Sequence, residues 1–125
     1  MSKKIDGLII EKVLSLTYVH SNKYGFWMDF DGDGCADLFK PSENIKDAWV
    51  VIEHLNKEGY MTLVHNADIR SAGVTRGEAE IGDWFANIVK RDNYGDTKER
   101  YPVYAKTAPM AICLSALKSV GIEID

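Results

Sequence analysis

PSENIKDAWVVIEHLNKEGYMTLVH (Pro41–His65) is the stretch that decides the fold, because it joins an amphipathic helix to a strand through a short turn. Ser42 or Asn44 can cap the first free N–H groups of a helix that we predict over Ile45–Glu58. Helical spacing places one set of apolar residues on a single side of this helix, namely Ile45, Ala48, Trp49, Ile52 and Leu55. A glycine at position 59 supplies a left-handed stop before the strand begins.

Two further helices follow from the same period of apolar residues. We predict one over Ile5–Leu16 and one over Ala108–Val120, where Thr107 can act as the N-cap and Pro109 is tolerated in the first turn. The apolar stripe of the first comprises Ile5, Leu8, Ile9, Val13 and Leu16, and that of the last comprises Met110, Cys113, Leu114, Leu117 and Val120.

The remaining segments have strand character, with β-branched and aromatic residues. The turn Asp31-Gly32-Asp33-Gly34 predicts a β-hairpin in the first third of the chain. We predict strands over Thr17–Val19, Tyr24–Asp29, Ala36–Lys40, Tyr60–His65, Asp83–Lys90 and Arg100–Ala105, with Pro102 indicating an edge or a bulge. Asn66–Gly82 has no clean period and predicts a loop or a short turn of helix.

This order of elements defines the expected architecture. Three helices, each with one apolar side, need a sheet or one another to cover them. We therefore predict an α+β fold, an α-β-α layered sandwich with a mainly antiparallel sheet, in one domain that spans residues 1–125.

The charge and the hydropathy of the chain indicate which kinds of partner and which cell compartment to expect. The net charge of −4 argues against nucleic acid, whose binding usually needs a basic surface. There is no apolar run of about 20 residues that could span a membrane, and no secretory signal at the start. We therefore expect a cytoplasmic protein in which Cys35 and Cys113 stay reduced.

Three stretches resemble one known family in order and spacing. They are IDGLIIEKV (Ile5–Val13), PSENIKDAWVVIE (Pro41–Glu53) and AKTAPMAICLSALKSVG (Ala105–Gly121). The chain resembles the phage ABA sandwich domain family, whose pattern has an opening EKV helix, a PSxxIxxAW helix start and a closing TAPxAICxAALxAVG helix. Ser115 and Ser119 stand where that pattern has small apolar residues.

The resemblance implies an α-β-α sandwich and an origin in a bacteriophage or prophage. It implies no activity. From the residues themselves we expect no cofactor, with calcium as the one alternative. The recurring residues, among them Trp49, Pro109 and Leu117, have the character of helix caps and core rather than of catalytic groups.

An acidic string offers one candidate metal site. Its carboxylates alternate as in the first half of a calcium loop, and Gly34 occupies the sixth position, where such a loop turns. Lys40 stands at the twelfth position, where an EF-hand has glutamate, and the flanks are strands rather than helices. The candidate calcium ligands are Asp29, Asp31, Asp33 and Asp37; the alternative is an acidic hairpin turn without metal.

Aromatic residues crowd the first hairpin: Tyr18, Tyr24, Phe26, Trp27, Phe30 and Phe39. Because neighbours in a strand alternate between faces, some of them must point away from one core. An exposed aromatic patch is typical of a protein–protein contact, whereas helices on both faces of the sheet would bury them all. The candidate interaction surface is Tyr24, Trp27, Phe30 and Phe39.

Evidence for catalysis is weaker. Glu78, Glu80 and Asp83 form an acidic cluster that could do acid–base chemistry or could be a solvated face. Cys113 lies on the apolar side of its helix, where an inert thiol is expected. The histidines, His20, His54 and His65, have no metal-ligand spacing.

These observations lead to a ranked functional expectation. First comes a non-enzymatic phage accessory protein without catalytic residues that binds a host or phage protein, or a second copy of itself. A calcium-dependent binding module is the alternative, and a small hydrolase with its site in Asn66–Gly82 is the third.

Overall fold

The computed structural model describes residues 2–124, which contain four helices, one π-helical turn and six strands. The helices are α1 (Ser2–Leu8), α2 (Ile45–Lys57), α3 (Ala72–Thr75) and α4 (Ala108–Ser119), and the π-helical turn is Ile9–Val13. The strands are β1 (His20–Asn22), β2 (Gly25–Met28), β3 (Asp37–Phe39), β4 (Tyr60–Asn66), β5 (Trp84–Arg91) and β6 (Thr97–Ala105).

The strands form two antiparallel sheets, ordered β1-β2-β3 and β4-β5-β6. Helices α2 and α4 pack on one face of the second sheet, where Ala86 of β5 meets Ala48 and Ala111. Helix α3 lies against the opposite face of this sheet, where Gly73 contacts the ring of Tyr104. The contact is so close that position 73 has no room for a side chain. The predicted α+β fold is confirmed, and so is Pro102 in an edge strand, β6.

The first helix departs from the predicted span Ile5–Leu16. Regular α-helix ends at Leu8, and the chain continues as a π-helical turn in which the N–H of Leu14 donates to the carbonyl of Ile9. Ser15 then adopts a left-handed φ of 55°, so Leu16 lies outside the helix and is exposed. The wider turn places Ile10 and Leu14 in the core together with the predicted Ile9.

Helix α2 follows the predicted span closely, whereas its apolar stripe does not. The side chain of Asn44 accepts a hydrogen bond from the N–H of Lys46, as an N-cap should. Ala48, Val51 and Leu55 are buried. Trp49 is 50% exposed, so its assignment to the core was wrong.

Helix α4 is enclosed on nearly every side because α1, the π-helical turn, α2 and the second sheet all pack on it. The predicted Cys113 and Leu117 are fully buried, but so are residues off the predicted stripe: Ala111, Ile112, Ser115 and Ala116. Val120 is exposed, which corrects the end of that stripe.

One buried hydroxyl closes a gap between β5 and β6. The Ser115 Oγ accepts a hydrogen bond from the N–H of Ile88 at 3.0 Å and donates to the carbonyl of Tyr101 at 2.5 Å. The N–H of Tyr101 donates to the side chain of Asn87 rather than to the β5 backbone. Ser115 therefore replaces a direct bond of the ladder at the centre of the sheet.

We expect Ser115→Ala to lower the free energy of unfolding by about 1–3 kcal/mol, because it leaves a buried N–H and a buried carbonyl without their partner. Ser119→Ala is the matched control, since among residues 2–124 the Ser119 hydroxyl bonds only to the carbonyl of Ala116 one turn earlier. Urea unfolding of both variants measures the difference. Equal stability of the two would contradict a structural role for Ser115.

A buried carboxylate joins α1 to the segment before α2. Asp6 is fully buried, and its Oδ1 accepts a hydrogen bond from the N–H of Ser42 at 2.9 Å. Its Oδ2 has no hydrogen-bond partner among residues 2–124. Burial raises the pKa of Asp6 above its usual value; the Ser42 N–H and Lys40 oppose that rise, and Glu43 adds to it.

The pKa of Asp6 is higher in the folded chain than in the unfolded chain. The stability that this group contributes is therefore fully present at a pH below the unfolded pKa. It is lost as the pH rises through the folded pKa, where the buried group becomes charged. Asp6→Asn keeps an acceptor for Ser42 and removes the buried charge. We expect the variant to gain stability relative to the parent at pH 7 and to lose that advantage toward pH 4. Thermal melts across this range test it; a pH-independent difference would contradict it.

In the described residues, no helix is both long and apolar enough to cross a membrane.

Candidate functional site

Five exposed apolar residues lie within the segment 16–30, and we call them together the hairpin face: Leu16, Tyr18, Val19, Tyr24 and Phe30. Of the predicted interaction residues, Tyr24 is 60% exposed and Phe30 is 48% exposed. Trp27 is half-buried. These three remain candidates for a contact with a partner.

Phe39 does not belong to this surface, because it is only 2% exposed. It pairs with Phe26 across β2 and β3, and both rings face the core beneath α1. Phe30 rests edge-on against Phe39 at 5.1 Å between ring centroids. Phe39 thus supports the exposed Phe30 from below, which the alternation of the strand residues alone does not reveal.

A groove of about 840 Å³ lies between α1 and the hairpin face. Tyr18 packs on Phe26 with ring centroids 4.8 Å apart, and the ammonium of Lys3 stands 5.5 Å from the centroid of the Phe26 ring. Lys4 lies on the same rim, and Leu8 contributes to the apolar wall. The groove combines aromatic rings with the ammonium groups of Lys3 and Lys4 and with the carboxylate of Glu11, which pairs with Lys12 at 3.5 Å.

Gly7 allows this groove to form. A Cβ atom at position 7 would stand 3.0 Å from the Phe26 Cζ, so a larger residue would displace the ring. The sequence indicated the aromatic residues of the hairpin but not their approach to Lys3 and Lys4, because that approach depends on the packing of α1.

A second groove, of about 630 Å³, lies between the starts of α2 and α4. Ile45 and Trp49 form one wall, Trp84 lies in β5, and Pro109 closes the other side. The two stretches that carry the resemblance to the phage family therefore meet here. Trp49 and Pro109 line a concave surface instead of filling the core, whereas Leu117 is buried as predicted.

The acidic string forms a loop between β2 and β3. Asp29 organises it: its Oδ1 accepts from the N–H of Gly32 and its Oδ2 from the N–H of Gly34, each at 2.9 Å. Asp33 accepts from the N–H of Cys35, while Asp37 begins β3. No group of three His, Cys, Asp or Glu side chains among residues 2–124 is arranged to hold a metal ion. Calcium binding by Asp29, Asp31, Asp33 and Asp37 stays a prediction.

The acidic cluster of the central loop is ion-paired. Arg76 binds Glu78 through two bonds of 2.9 Å, and the Lys106 ammonium lies 2.9 Å from Asp83 and 3.2 Å from Glu80. The hydrogen bond from Arg76 lowers the pKa of Glu78. The backbone N–H of Glu80 and the ammonium of Lys106 lower the pKa of Asp83.

The remaining nucleophiles and histidines lie apart. Burial raises the pKa of the Cys113 thiol well above its usual value, so the thiol stays protonated in the core. Cys35 is exposed, and both cysteines are free. His54 pairs with Glu58 on the surface of α2 at 3.2 Å, and His65 stacks on Phe85 at 4.7 Å.

The helices, the sheet and the three characteristic stretches define a class of small phage domains. The chain belongs to the phage ABA sandwich domain family, whose model matches residues 7–117. It is also similar to a phage protein from Bacillus cereus ATCC 14579 of known crystal structure, at 27% sequence identity and a TM-score of 0.62. That similarity covers 100% of this chain and 92% of the other. No protein among the curated ones matches this chain.

Replacing the central acid of the loop distinguishes a structural role from metal binding. Asp29→Ala removes the acceptor for two backbone N–H groups, and we expect a loss of about 1 kcal/mol because the loop is exposed. Thermal melts of the parent and the variant, with millimolar calcium and with chelator, provide the measurement. The calcium hypothesis expects the parent's melting temperature to rise with calcium and that of Asp29→Ala to stay constant. A parent that does not respond contradicts calcium binding.

Proposed function

We propose that this phage domain is a non-enzymatic binding module that holds a host or phage protein on the hairpin face. One observation carries the proposal: five of the twelve large apolar side chains exposed among residues 2–124 lie within the single segment 16–30. Leu16 and Tyr18 line the same groove, and exposed apolar residues that adjoin one another are typical of an interaction surface, whereas single scattered ones are ordinary.

The groove beside the hairpin face supports a particular chemistry for the partner. Tyr18 and Phe26 offer ring surface, while Lys3 and Lys4 on the rim offer positive charge; Glu11, the carboxylate of the groove, is already paired with Lys12. A segment with an apolar side chain followed by aspartate or glutamate would bury the first on the rings and pair the second with a lysine. Such a contact gains affinity from the apolar part and orientation from the charge.

The acidic side chains between β4 and β5 are poorly suited to catalyse hydrolysis, which favours a binding function for the domain. Glu78 and Asp83 have lowered pKa values and are paired with Arg76 and Lys106, which makes both carboxylates weak bases. The Cys113 thiol is enclosed in the core, where no substrate reaches it.

The experiment is capture of partners from lysate of phage-infected host cells, followed by mass spectrometry, with tagged protein and two variants. Tyr18→Ser with Tyr24→Ser removes two exposed rings of the hairpin face. Tyr94→Ser is the matched control, because Tyr94 is 91% exposed at the tip of the β5–β6 hairpin. Circular dichroism establishes that all three proteins are folded.

We expect a phage or host protein that the parent and Tyr94→Ser retain and the double variant loses, with affinity at least about tenfold weaker when purified components are titrated. A partner bound equally by all three proteins contradicts the assignment of the hairpin face. Lys3→Glu with Lys4→Glu then tests the charge of the rim: an acidic partner should bind this variant less tightly than the parent.

A further inference from the structure

The two edges of the second sheet differ in their protection. Edge β6 contains Pro102, and the register between β5 and β6 shifts at Lys90 and Arg91. Both features discourage another strand from pairing there. Edge β4, YMTLVHN, is seven residues long and contains no proline, glycine, lysine, arginine, aspartate or glutamate. Its pairing with β5 is regular over its whole length. Edge β4 therefore lacks both features that protect β6 against strand addition.

The hydrogen bonds identify which backbone groups face the free edge of β4. The N–H of Ala67 donates to the carbonyl of Asp83, so odd-numbered residues face β5. Thr62 lies opposite Ile88, whose N–H is bound to Ser115 on the side of β6. Even-numbered residues therefore present their N–H and C=O outward. The carbonyl of Tyr60 agrees, since it accepts a bond from the side chain of Asn56 instead of from β5.

We propose that the chain forms a two-fold symmetric homodimer in which β4 pairs antiparallel with β4 of a second copy, centred on Leu63. In this register Thr62 lies opposite Val64 of the second copy, and the reverse. Each pair exchanges two N–H···O=C bonds, so the two pairs satisfy the outward groups of both residues. The two sheets join into one sheet of six strands. Edge pairing of this kind is self-complementary, as a two-fold interface requires.

Two exposed side chains agree with this register. Leu63 is 45% exposed and would meet Leu63 of the second copy at the symmetry axis, where side chains of a non-hydrogen-bonded pair stand close together. On the other face of the sheet, α2 packs over β4, and its Asn56 reaches the free edge. Trp49 lies two turns before Asn56 on the same flank of α2, so the second copy's α2 would cover it.

Charge presents no obstacle to the contact. Strand β4 has no formally charged side chain at neutral pH, whereas the chain as a whole carries a net charge of −4. Pairing at this edge therefore brings two copies together at a place where they do not repel one another directly. The dimer uses residues distinct from the hairpin face and is independent of the proposed function.

Sedimentation velocity of the full chain over the micromolar to millimolar range tests the dimer. We expect the parent to sediment as a dimer with a concentration-dependent monomer. Leu63→Lys should raise the dissociation constant about tenfold or more, because it places like charges directly across the axis. Val120→Lys, at a 42% exposed position that ends α4 and is not part of β4, is the matched control and should leave the constant unchanged.

Cross-linking tests the register. In a Cys35→Ser background, which removes the exposed thiol, Leu63→Cys places two thiols at the axis within reach of a disulfide. His65→Cys is the matched control on the same strand: its opposite residue is Met61, so the two introduced thiols lie roughly 13 Å apart along the strands. Mild oxidation should yield covalent dimer from Leu63→Cys and far less from His65→Cys.

Three outcomes would overturn the proposal. The first is a parent that remains monomeric throughout the range of concentration. The second is a dimer that Leu63→Lys and Val120→Lys weaken to the same degree. The third is equal cross-linking of Leu63→Cys and His65→Cys. A dimer that persists in Leu63→Lys but dissociates in Tyr18→Ser with Tyr24→Ser would assign self-association to the hairpin face instead.

Discussion

The burial of α4 is the constraint on which the rest of the structure depends. This helix contacts the second sheet on one side and α1, the π-helical turn and α2 on the others, so both sheets are tied to a single element. Because small residues such as Ala111 and Ala116 let its neighbours approach, one 12-residue helix can occupy the middle of a 125-residue chain. The Ser115 hydroxyl then ties the helix to the backbone of two strands.

The sequence predicted the elements better than it predicted their exposure. Helices α2 and α4 begin and end within a residue of expectation, since Asn44, Gly59 and Thr107 act locally as caps and stops. Helical periodicity did not predict which residues of α4 are buried, because a helix enclosed on nearly every side has no single buried stripe. It failed for the first helix as well, because the π-helical turn changes the angle between successive residues.

The candidate surfaces were only partly visible in the sequence for a related reason. The aromatic composition of the first hairpin indicated an interaction surface, yet whether Phe39 or Phe30 reaches solvent depends on how α1 covers the small sheet. Trp49 shows the opposite error: helical spacing placed it in the core, but it lines the open groove between α2 and α4 and is half exposed. Ser115 is the third case. In the sequence, a serine in place of a small apolar residue has no evident role; its role becomes clear only from the missing backbone hydrogen bond between β5 and β6, which its hydroxyl replaces.

Some residues of the family pattern are buried in the core, whereas others are exposed on the surface. Its alanines and Leu117 are explained by packing around α4, and Thr107 by capping. Packing does not explain Ile45 and Trp49, which are exposed on the flank of α2 beside the free edge of β4. Burial therefore does not account for these two positions, although both carry the resemblance to other phage domains. Both positions line the groove between α2 and α4, and Val64 of β4 lines it as well, so the exposed residues of the family pattern adjoin the edge strand of the second sheet.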